Sequence, residues 1–151
     1  MVNLNYEINS NTNAIIGLGK TSKVIEAEKE IEISMPPTDI IRYSCEYFGS
    51  TFEGRVKSAQ KMLGMKYKLP VIIEETREII FFPIKSYTNI NVCWISLNNI
   101  THYEEYENKS KIYFRTGQPQ IMDISLESLE NQILRASKLL LILKSRKTTK
   151  F

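Results

Sequence analysis

The chain has 151 residues, 42% of them hydrophobic and 25% charged, with a formal net charge of +3. That composition excludes a disordered chain, and the length supports one buried core while falling short of two typical domains. Two widely separated cysteines and one histidine exclude a disulfide scaffold and leave too few ligands for a Cys/His zinc site. The expectation is therefore a single domain over residues 1–151, with reduced thiols and no cofactor.

The N-terminal stretch MVNLNYEINS has no basic segment ahead of an apolar run, and the longest aliphatic run is Leu139 to Leu143. Roughly 20 apolar residues are needed to span a membrane. A soluble, cytoplasmic protein with no membrane partner is expected. The first third then reads as antiparallel strands at Asn3–Ile8, Ala14–Leu18, Lys23–Glu28 and Glu30–Ser34. Glu30-Ile31-Glu32-Ile33-Ser34 alternates with the period of a half-buried strand, although residues 22–32 also fit a helix.

Met35-Pro36-Pro37 breaks the pattern, and Thr38 is placed to cap a helix ending near residue 48, with Ile40, Ile41, Ser44, Cys45 and Phe48 on its inner face. Gly49 suits a left-handed stop. Ser50-Thr51-Phe52-Glu53 has the spacing of a capping box, so a second helix is predicted over about 51–63, with Phe52, Val56, Ala59 and Leu63 inward and Gly64 at its end. Lys57 and Lys61, one turn apart, face outward together. Met65 to Lys68 alternates like a strand.

Further strands are predicted at Val71–Glu74, Ile79–Ile84, Asn91–Leu97 and Lys111–Arg115, with a turn at Glu75–Glu78. The charged run Tyr103–Lys109 fits a hairpin tip or a lid. From Ser125 to about residue 145, Leu126, Leu129, Ile133, Ala136, Leu140 and Leu143 mark one long amphipathic helix. Its leucine-rich face completes the core or pairs two subunits, the core being the stronger reading. Lys144, Arg146 and Lys147 sit where basic residues oppose a helix dipole. The class expected is α+β: antiparallel strands with a central helix pair (about 38–48 and 51–63) and a C-terminal helix (about 125–145).

Few of the reactive residue types form a recognisable constellation. Ala14-Ile15-Ile16-Gly17-Leu18-Gly19-Lys20-Thr21 misses the phosphate-binding pattern G-x-x-x-x-G-K-[ST] at its first glycine. A hairpin turn at Gly17–Lys20 competes with a P-loop-like nucleotide-binding enzyme and is the better reading. His102 reads as a solvated loop residue, Cys45 and Cys93 as inert core thiols, and Trp94 as a core anchor. No catalytic or metal site is expected.

The charge pattern is more telling. Residues 41–70 carry six Lys and Arg against two Asp and Glu, and residues 125–151 carry the same excess, whereas residues 1–40 carry three against six. Blocks of one sign attract polyanions, and a solvated face is the competing reading. Arg42, Arg55, Lys57, Lys61, Lys66 and Lys68 lie on or beside the helix pair. Ser50, Thr51 and the helix amides beside them are further phosphate binders. Helix pairs of this kind occur in DNA-binding proteins and in plain packed folds.

Ser44-Cys45-Glu46-Tyr47-Phe48-Gly49-Ser50-Thr51-Phe52-Glu53-Gly54-Arg55 resembles the S-C-x-F/Y-F/Y-G-S-x-Y/F-x-G-R segment of the bacterial competence transcription factor (ComK) family. Four further segments follow in matching order: Lys68–Ile72, Ile80–Ser86, Asn91–Ser96 and Leu129–Ile133. They are similar to that family's K-x-P-I-x, F-x-F-P-T-x-S, C-G-W-I-S and F-E-N-Q-V. The resemblance runs over about residues 13–140, with Val92 and Cys93 standing where the family pattern has cysteine and glycine.

The resemblance implies a cytoplasmic, nucleoid-associated transcription activator. It binds double-stranded AT-rich promoter boxes through the minor groove as a homo-oligomer, switches on DNA-uptake genes, works with RNA polymerase and is controlled by an adaptor/protease system. Expected DNA contacts are Arg42, Arg55, Lys57, Lys61, Lys66 and Lys68, with Lys85 behind them. Because family members continue beyond the position of Phe151, a truncated relative that modulates a full-length partner without binding DNA is the alternative.

Overall fold

The computed structural model describes residues 3–148, so the ends of the expected 1–151 domain lie outside it. The alternating segments of the first third form β1 (Thr12–Leu18), β2 (Thr21–Glu26) and β3 (Glu30–Ile33), each antiparallel to the next. Leu18 pairs with Thr21, so Gly19 and Lys20 make a two-residue hairpin turn, with Gly19 at φ +82°. A strand follows this turn where a P-loop requires a helix N-terminus, and the nucleotide-binding reading has no amide cradle to rest on.

Asn3–Ile8, expected as a strand, makes only one bridge, Asn3 to Ile33. Its polar groups bond side chains instead of a ladder: Ile8 N donates to Ser44 Oγ at 3.0 Å, and the Tyr6 hydroxyl bonds Thr12 Oγ1 (2.6 Å) and Glu26. Ile8 is fully buried and anchors the segment.

β4 (Val71–Glu74), β5 (Ile79–Ile84) and β6 (Cys93–Ser96) complete a six-stranded sheet in the order β3-β2-β1-β6-β5-β4. Every neighbouring pair is antiparallel. β7 (Ile100–Tyr106), β8 (Lys109–Phe114) and β9 (Gln120–Met122) form a second, smaller sheet. The charged run Tyr103–Lys109 is therefore mostly strand, with only Glu107 and Asn108 between Tyr106 and its partner Lys109. The largely exposed β7 is held by β8, whose Ser110, Ile112 and Phe114 are buried.

Three helices join these sheets: α1 (Pro37–Tyr47), α2 (Phe52–Leu63) and α3 (Leu126–Thr148). Two caps differ from expectation. Proline, whose φ suits a first helical position, starts α1 at Pro37, and Thr38 uses its hydroxyl elsewhere. It accepts from Trp94 Nε1 and donates to Tyr87 O, both at 3.3 Å. At α2 the cap is Thr51, whose Oγ1 accepts from Gly54 N at 3.0 Å, while Ser50 Oγ donates to Cys45 O at 3.2 Å. Gly64, at φ +66°, stops α2 as expected. Met65–Lys68 is irregular rather than a strand, since Lys68 turns into the left-handed region at φ +53°.

Both faces of the large sheet are covered. In β5, Ile79 and Phe81 enter one core with Trp94, Ile40, Ile41 and Cys45. Ile80, Phe82 and Ile84 enter the other, with Leu129, Ala136 and Leu139 of α3 and with Ile112 and Phe114 of the small sheet. That is why β5 reads as an unbroken apolar run. α2 packs against β4 and places Phe52 in the first core and Ala59 in the second, so it shields the strand's open edge. Among the described residues, no helix is long and apolar enough to cross a membrane.

Candidate nucleic-acid interface

The helix pair is pinned by aromatic packing. Tyr87 stacks on Trp94 with ring centroids 5.3 Å apart, and Phe52 meets both edge-on, at 5.5 Å and 6.4 Å. The Tyr87 hydroxyl donates to Leu69 O at 2.7 Å. Cys45 is on the inner face of α1, fully buried, and that burial pushes its thiol up to about 11, which leaves it protonated and unsuited to attack. This interior is structural, and the charges lie outside it.

The arginines of the first basic block are held by carboxylates. Arg42 pairs with Asp39 at 3.1 Å and Glu53 at 3.2 Å, with its guanidinium carbon 4.9 Å from the Phe52 ring centre. Arg55 pairs with Glu75 at 2.9 Å and donates from Nε to Ser50 Oγ at 3.3 Å. Glu75 also pairs with Lys147, and these two partners, Lys147 first, hold its carboxyl below the usual range. Lys144 pairs with Glu78. Two cations of the second basic block thus latch α3 to the β4–β5 turn.

Lys57 and Lys61 are different. Both are exposed on α2, four residues apart, on a helix whose buried residues are Phe52 and Ala59. Neither has a carboxylate partner among the described residues. Lys66 is likewise exposed and unpaired there.

Beyond the end of α2, Lys68 lines an open cleft of about 300 Å³ with Lys85 and Arg135. The cleft lies between the loop before β4, the end of β5 and the first turns of α3. Lys85 approaches Asp123 at 3.9 Å. Lys68 and Lys85, 17 positions apart in chain numbering, therefore meet at one place. Arg135 was not among the expected contacts, because its block read as helix-end charge. The available signal was Gln132, a polar residue on the buried face of α3 beside Leu129, Ala136 and Leu139.

The match to the ComK protein family extends over residues 3–148. The competence transcription factor of Bacillus subtilis (strain 168) is 30% identical over 137 residues, covering 87% of this chain and 71% of that relative. No solved structure matches the chain.

Proposed function

The chain belongs to the ComK protein family, and from that premise we propose that it is a competence transcription regulator that binds double-stranded, AT-rich DNA. The observation that carries the reading is the exposed Lys57 and Lys61 pair on α2, without a carboxylate partner among the described residues. Their neighbours Arg42 and Arg55 are engaged with carboxylates. A helix held by its own Arg55 and by Arg42 of α1, and presenting bare lysines, offers positive charge at no cost in broken ion pairs. AT-rich tracts have narrow, strongly negative minor grooves that attract such cations. Lys66, Lys68 and Lys85 extend the proposed contact surface, and Arg42 and Arg55 contribute charge and orient α2.

In this reading the protein works on cytoplasmic DNA as a homo-oligomer that activates genes for DNA uptake. The test is fluorescence anisotropy with AT-rich and GC-rich duplexes over a series of salt concentrations. The expected result is tighter binding to the AT-rich duplex, with affinity falling steeply as salt rises. Each phosphate contact contributes about 0.9 to the logarithmic salt slope. Lys57→Ala with Lys61→Ala should reduce that slope by about two units. Wild-type affinity and slope in this variant would overturn the surface assignment, and absence of duplex binding by the parent protein would overturn the function.

A further inference from the structure

Gln132 stands on the buried face of α3, 5% exposed, where the helix otherwise presents Leu129, Ala136 and Leu139. Its Nε2 donates to Lys68 O at 3.1 Å and to Pro83 O at 2.8 Å, and its Oε1 accepts from Arg135 Nη1 at 3.0 Å. One buried amide therefore ties together three segments that each carry a cation: the Lys68 loop, the end of β5 before Lys85, and α3 at Arg135. β4 begins at Val71, opposite Phe81, so no strand lies beside Pro83 on that side and the amide satisfies its carbonyl.

The backbone is also constrained here. Lys68 has φ +53° and Lys85 φ +81°, two of only four non-glycine residues with positive φ among those described. Side-chain-bearing residues hold such angles at a cost, and only where the surroundings enforce them. The result is a cleft of about 300 Å³ lined by three cations. The one opposing carboxylate is Asp123, exposed and 3.9 Å from Lys85. Near the start of α3, Ser128 N and Leu129 N already bond Ser125 and are not offered to an anion.

We propose that this cleft seats one backbone phosphate of bound DNA, with Lys68, Lys85 and Arg135 as its charge contacts and Gln132 as the positioning residue. The assignment rests on the DNA-binding reading above and names a point at which the strand is held. A phosphate seat fixes register without reading bases, so it contributes affinity and salt dependence but no sequence preference.

The test uses the full chain and the same anisotropy titrations with the Lys85→Gln/Arg135→Gln double variant, both side chains being partly exposed and replaceable without opening the core. The expected result is a salt slope lower by about one unit, with the ratio of AT-rich to GC-rich affinity unchanged. Gln132→Leu, of similar volume, should lower the slope equally while retaining cooperative unfolding. If Gln132→Leu does not fold, the double variant decides alone. An unchanged slope in the double variant, with Lys57→Ala/Lys61→Ala still weakening binding, overturns the phosphate seat and leaves the DNA reading standing. Absence of duplex binding by the parent protein overturns both. Amide chemical shifts at Lys68, Lys85 and Arg135 should move with duplex. If inorganic phosphate saturates them without displacing DNA, the cleft is a small-anion site and the proposal fails.

Discussion

At Gly17 the obstacle to a side chain is backbone. A Cβ there would stand 2.6 Å from Val92 O and 3.0 Å from Ile90 O. The segment cannot easily yield, because Ile90 O accepts from Gly19 N at 3.3 Å and Val92 N donates to Asn89 O at 3.0 Å. Gly17→Ala should therefore cost about 1–3 kcal/mol, the usual range for overpacking, read as a lower urea midpoint. The sequence places Gly17 at the start of a turn. In the structure it pairs with Ser22 within β1, and its requirement comes from a segment more than 70 positions away. Trp94 and Thr38 have the same character, since a pair 56 residues apart satisfies the indole N–H.

Among the elements, α2 depends on its cap and on its ties to neighbours. Thr51→Ala removes the acceptor for Gly54 N and should cost about 1 kcal/mol. Glu53→Gln should leave the urea midpoint unchanged, since Glu53 is exposed and its carboxylate faces Arg42 rather than closing a capping box on Ser50. The tie to Glu75 titrates. Its carboxyl lies below the ordinary value in the folded protein, because Lys147 and then Arg55 favour the charged form. A carboxyl depressed on folding stabilises above its unfolded value and loses that contribution as pH falls through the folded one. Denaturant midpoints taken from neutral pH down to acid should therefore fall less steeply in Glu75→Gln than in the parent chain. Equal pH dependence of the two proteins would show that the tie contributes nothing.

For the whole molecule, a formal charge of +3 predicts little affinity for a polyanion, and the arrangement of charges predicts more. The two basic blocks have equal excess in the sequence but separate roles in space. Lys144→Ala/Lys147→Ala should lower stability, because it releases α3 from Glu75 and Glu78, while leaving the DNA salt slope almost unchanged. Lys57→Ala/Lys61→Ala should do the reverse. Paired urea melts and salt titrations on the two variants read this crossed pattern, and equal slopes in both would show that the blocks share one role.

Local rules made much of this legible. The α+β class, the three helices within a few residues, the stop at Gly64 and the strands from Val71 to Ile84 follow from periodicity and from residues that act on their immediate neighbours. Asn3–Ile8 and Met65–Lys68 departed from expectation because distant partners, Ser44 for the first and Gln132 for the second, decide their backbone. The same division governs the candidate surface. Sequence alone determined that six cations cluster between residues 41 and 70, and five ordered segments carried the family resemblance. Only the tertiary structure decided which cations are left bare, because Arg55 meets Glu75, Lys147 meets Glu75 and Lys144 meets Glu78 across 20, 72 and 66 positions. Charge adds up along a chain, but its neutralisation is a contact, and contacts between distant residues exist only once the chain is folded.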